Sequence, residues 1–114
     1  MKHFMKLNEA PFAMIESEKK TIELRLYDEK RQQISVGDEI EFSCVGNLEH
    51  RLLRRVIALH TFPSFKDLYQ ALPLLKCGYT EENLATASPL DMEQYYSQEE
   101  QSKFGVVGIE MESI

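Results

Sequence analysis

The chain has 114 residues, 43% hydrophobic and 28% charged, with a formal net charge of −6. That length suffices for one globular domain, residues 1–114, with a hydrophobic core, and the composition excludes disorder over most of it. The acidic balance argues against a nonspecific binder of duplex DNA, which needs a basic face to release counterions, but leaves room for a pocket that reads one nucleotide or a short single strand.

Met1 to Lys6 mixes Lys2, His3 and Lys6 with Phe4 and Met5, without the apolar run of a signal peptide. No stretch reaches the roughly 20 apolar residues that span a bilayer, so no membrane partner is expected. Cys44 and Cys77 form no CxxC pattern and are expected as buried free thiols. These features together point to the cytoplasm.

Asn8 can cap a short helix beginning near Glu9, with Pro11 tolerated in its first turn. Ser17-Glu18-Lys19 then turns the chain into a first strand, Lys20 to Tyr27. There Ile22, Leu24 and Leu26 point one way and Thr21, Glu23, Arg25 and Tyr27 the other. Asp28 to Ser35 is a polar loop and Val36-Gly37-Asp38 a turn. Glu39 to Cys44 and Arg51 to Phe62 supply two more strands. Ser64 caps a helix over Phe65 to Leu72, which Pro73 ends. Thr80-Glu81-Glu82 and Ser88-Pro89 offer two further helix starts, the second running through Met92, Tyr95 and Tyr96. Phe104 to Met111 is the closing strand. Strands interrupted by a helical insertion and closed by a last strand predict an α+β fold, a small mixed barrel rather than a doubly wound sheet.

The candidate chemistry lies on the first strand. Thr21, Glu23 and Arg25 follow one another at ~7 Å along one face. An acid and a base placed this way can pair, or jointly hold a polar ligand. Arg25 can offer its fork to a phosphate or a base edge, and Glu23 can accept from an amine or act as a general base. Lys20 has the wrong parity for that face in a regular strand. It joins the site only if the strand frays at its start or carries a bulge. The plain alternative is a solvated face with a weak ion pair.

The run Lys20-Thr21-Ile22-Glu23-Leu24-Arg25, followed by Val36-Gly37-Asp38, resembles the K-x-x-E-x-R strand and glycine–aspartate turn of the ASCH domain family. Tyr95-Tyr96-Ser97 and Gly105 to Ile109 resemble the end of a small bacterial single-domain branch of that family. The resemblance implies a PUA-like β-barrel flanked by short helices, with RNA or a nucleotide-like molecule held in a cleft beside the barrel. It places Lys20, Glu23 and Arg25 in that cleft as ligand-binding residues, with Thr21 adjacent; no cofactor or metal is expected. One branch removes the acetyl group of N4-acetylcytidine with a lysine, a threonine three positions later and a separate glutamate. Here that later position is Glu23. A hydrolase or ribonuclease using Lys20 and Glu23 as catalytic residues is the alternative.

His3, His50 and His60 share no metal-ligand spacing. Tyr79, Tyr95 and Tyr96 can stack on a base or pack over the barrel mouth. Glu82 is a candidate for the distant glutamate. Glu93 to Glu100 reads as a solvated helix face from which Glu99 or Glu100 could reach the cleft. No P-loop or dinucleotide glycine pattern is present.

Overall fold

A computed structural model describes residues 1–114. Five strands form one curled sheet: β1 (Lys2–Leu7), β2 (Ile22–Leu26), β3 (Glu39–Cys44), β4 (Asn47–Phe62) and β5 (Val106–Ser113), in the order β1-β3-β4-β5-β2. Only β1 and β3 run parallel. With helices α1 (Glu9–Glu16), α2 (Phe65–Ala71) and α3 (Gln98–Phe104), this is a mixed α+β half-barrel of the PUA-like kind.

The curl comes from β4. Its first half pairs with β3 and its second with β5, and the register with β5 shifts between Val56 and Ala58. An extra residue there bends and twists the strand, so the sheet rolls instead of lying flat. Gly46, at φ +91°, takes the left-handed conformation that the tight turn between β3 and β4 requires. The two sheet edges, β1 and β2, then face each other across the open side. No backbone ladder joins them. Arg25 on β2 donates to the Lys6 carbonyl at 3.2 Å, and Lys30 donates to the Phe4 carbonyl at the same distance. Two cationic side chains thus occupy carbonyls that an edge strand would otherwise offer to another chain.

The strand alternation sorts two cores. Inside the half-barrel, Met5 and Leu7 of β1 pack with Ile40 and Phe42 of β3, Val107 and Ile109 of β5, and Phe12 and Ile15 of α1. On the other face of β2, Ile22, Leu24 and Leu26 pack against Phe65 and Leu68 of α2 and against Cys77. Both faces of β2 are therefore covered. Glu23 is 3% exposed, which overturns the reading of that face as solvated. Cys44 and Cys77 are both buried and free.

Several elements depart from the sequence expectation. The first strand of the sheet is β1, where none was expected, because only Met5 and Leu7 of its six residues are buried. Its partner β3 lies far along the chain, out of reach of a local pattern. Thr80-Glu81-Glu82 starts no α-helix; the chain makes turns and one 3-10 turn at Leu84–Thr86. Ser88 does cap, but the helix it opens is a 3-10 segment, Pro89–Gln94, that ends before Tyr95 and Tyr96. A new helix, α3, starts after Ser97, whose hydroxyl accepts from the Glu100 amide while the Glu100 carboxylate accepts from the Ser97 amide. This reciprocal pair breaks the expected continuous face from Glu93 to Glu100. Ser64 caps α2 as expected, accepting from the Asp67 amide. Asn8 occupies the cap position of α1 without a side-chain hydrogen bond.

Candidate functional site

β2 brings Glu23 and Arg25 to the open side of the half-barrel, and a break in regular structure brings Lys20 to them. The strand begins only at Ile22. Ahead of it, the Lys20 amide donates to the Met14 carbonyl of α1 at 3.0 Å, and the Thr21 amide donates to the Lys76 carbonyl at 2.9 Å. The chain is thus pulled between α1 and the insert between β4 and β5, and strand parity no longer applies to Lys20. Its ammonium lies 2.7 Å from Glu23 Oε1, while Arg25 Nε donates to Glu23 Oε2 at 2.8 Å. The side chains of Lys20, Glu23 and Arg25 are 11, 4 and 15% exposed. Each carboxylate oxygen is taken by its own cation.

The electrostatics follow from this geometry. Burial raises the pKa of Glu23, but Lys20 and Arg25 outweigh it and hold the carboxyl below its ordinary value of 4.5. Burial also works against the charge on Arg25, and Glu23, with the nearby Tyr96 hydroxyl, more than offsets it. Burial pushes the Cys77 thiol up to about 11, so it is not a thiolate nucleophile.

The triad forms the floor of a cleft of about 570 Å³ between the α1 side and the insert. On the insert side, Tyr69 and Tyr79 share a 2.6 Å hydroxyl–hydroxyl hydrogen bond, and Tyr79 donates to Asp91 Oδ2 at 2.7 Å. Burial, reinforced by these bonds to Tyr69 and Asp91, raises the Tyr79 pKa, so the phenol stays protonated. Tyr96 stacks on Phe65, with centroids 5.9 Å apart, and Tyr95 beside it is 60% exposed at the cleft rim. The charged residues lining the cleft are Lys6, Lys20 and Arg25 against Glu23 and Asp91. The local balance is positive on a chain whose net charge is −6.

Not every expected residue joins this site. Thr21 does not line the cleft; its backbone is tied to Lys76 and Met111. Glu82 and Glu99 lie outside it, and Glu100 is spent on capping α3. Three histidines pair with carboxylates at separate places, His3 with Asp38, His50 with Glu16 and His60 with Glu110. No group of three or more His, Cys, Asp or Glu side chains stands together as a metal site would require. Tyr69, Gly78 and Asp91 line the cleft without having been singled out in the sequence. The 3-10 turn that carries Asp91 leaves no periodic signal by which to find it.

A family model described as the ASCH domain matches residues 5–114. The chain belongs to the ASCH domain family. The solved structure of the archaeal hypothetical protein PH0355 is 35% identical, covers 100% of both chains and superposes with a TM-score of 0.81. The solution structure of protein PF0455 from Pyrococcus furiosus is 34% identical, covers 98% of this chain and 96% of that one, and superposes with a TM-score of 0.71. None of the curated proteins matches. No helix is long and apolar enough to cross a membrane.

Removing the shared carboxylate should be costly. Glu23→Ala leaves two buried cations facing each other, for a loss of about 3–5 kcal/mol by urea unfolding. A loss under about 1 kcal/mol, the size of an exposed pair, contradicts the buried triad. The acid side follows by linkage. A carboxyl held below its unfolded pKa contributes stability that is complete above that value and is lost as pH falls through the folded one. For Glu23 that window lies below 4.5. For Asp38, held down to about 2 by the His3 and Ser35 hydrogen bonds, it runs from 3.8 to about 2. The melting temperature should therefore fall progressively below pH 4.5, and an unchanged value at pH 3 contradicts this.

Proposed function

We propose that this ASCH domain binds RNA or a nucleotide-like molecule in the cleft floored by Lys20, Glu23 and Arg25. The observation that carries the reading is a positively charged floor, on a net-acidic chain, beneath a wall of tyrosines. Phosphates and base acceptors meet the cations, and bases stack on aromatic faces. ASCH domains are RNA-binding-like in general, which agrees with this use of the cleft. Its volume falls within the roughly 300–1,000 Å³ of small-ligand sites.

The hydrolase alternative finds less support in the geometry. Thr21 is absent from the cleft and the Cys77 thiol is protonated. Glu23 carries a cation on each oxygen, which holds its carboxyl below the ordinary value and makes it a weaker base.

Thermal-shift measurement against nucleosides, nucleotides and short single-stranded RNAs should give stabilising hits. Tyr95→Ala should leave the unliganded melting temperature unchanged, because the ring is exposed. It should weaken binding by about tenfold, since one stacked base contributes about 1–3 kcal/mol. No stabilisation by any member of the panel overturns the proposal. Turnover of acylated cytidines or RNA that disappears in Lys20→Ala would replace it with the enzyme reading.

A further inference from the structure

The three triad residues are not equivalent, and the difference points to the part of the ligand that each meets. Arg25 is a strut. Its Nε is fixed on Glu23 at 2.8 Å and its Nη2 on the Lys6 carbonyl at 3.2 Å, so it ties the two open sheet edges together. Glu23 holds one cation on each oxygen. Arg25 keeps further N–H groups, but its fork is anchored between Glu23 and β1, whereas the Lys20 ammonium is tied to Glu23 alone. An ammonium has three donors and Glu23 is its one acceptor, so two N–H directions remain for a ligand in the cleft it lines.

The insert holds that ammonium in place through Gly78. At φ +111° this residue takes a conformation that side chains rarely adopt. A Cβ built there would lie 3.3 Å from Lys20 Cδ and 3.6 Å from Cε and Nζ. The lysine stem therefore lies directly across the glycine, and the bare backbone determines how deep the ammonium sits. Glu23 cancels one of the two floor charges, so one positive charge at low exposure is left over. A neutral acceptor leaves it unbalanced, whereas an oxyanion neutralises it and takes the two open donors as charge-assisted hydrogen bonds.

Resting on the nucleotide reading above, we propose that the cleft is built for a phosphate-bearing ligand whose phosphate oxygen is received by Lys20, with Gly78 as the positioning residue that sets the lysine. The probes are the four ribonucleosides and their 5′-monophosphates, titrated by calorimetry at low salt. At least one monophosphate should bind about tenfold or more tighter than its nucleoside, the value of one charge-assisted hydrogen bond. Lys20→Gln, which keeps a donor for Glu23, should bring that ratio to about one. Gly78→Ala should lower the ratio in the same direction, an effect that backbone strain alone would not produce. Arg25→Gln should lower the melting temperature and weaken both ligands together, leaving the ratio standing. Nucleosides and monophosphates binding equally to the unaltered protein would overturn this proposal while sparing the nucleotide reading. A ratio that survives Lys20→Gln would overturn it as well. No binding by any probe would overturn both.

Discussion

The Glu23 carboxylate, buried with a cation on each oxygen, is the constraint on which the site depends. Two positive side chains cannot share a nearly dry floor without a negative one between them, since an unpaired buried charge costs several kcal/mol. Glu23 sets their spacing and holds Lys20 toward the cleft and Arg25 toward β1. The triad is therefore part of the structure as well as of the site. It occupies the place where the half-barrel fails to close, and Arg25 supplies the link that backbone pairing does not.

The rest of the fold serves that opening. The register shift in β4 rolls the sheet so that its two edges approach each other. The insert between β4 and β5 packs its apolar side, with Tyr69 and Tyr96 at its margin, on Ile22, Leu24 and Leu26, and its tyrosines line the cleft beside the same strand. One five-residue strand thus carries a hydrophobic core on one side and a charged floor on the other. Strand parity makes this possible, because alternate residues meet two environments of opposite polarity.

Much of this was legible in the sequence, and the remainder was hidden for physical reasons. The alternation of Ile22, Leu24 and Leu26 with Glu23 and Arg25 gave the strand and both of its faces, and Ile40 with Phe42 gave β3. Family resemblance supplied the cleft, which periodicity could not. Lys20 stood at the wrong parity, and only tertiary hydrogen bonds to Met14 and Lys76 show how it reaches Glu23. β1 escaped because its partner is distant and its buried residues are two. Within the insert the helix capped by Ser64 forms, but the two expected from Thr80 and Ser88 do not, because Ser88-Pro89 opens α and 3-10 turns alike and Ser97 with Glu100 then restarts the chain. Gly78 and Asp91 carry no pattern in sequence. Their roles exist only once the insert folds over β2.

The central claim is that the ligand sits on the floor of this cleft against Lys20 and not on the outer face of the sheet. A crystal structure of the protein with a bound 5′-mononucleotide or short single-stranded RNA tests it most directly. The account expects a phosphate oxygen within hydrogen-bond distance of Lys20 Nζ, with the Glu23–Arg25 pair intact beneath it. A ligand on the outer face of β4 and β5, with the cleft holding only water, would contradict it.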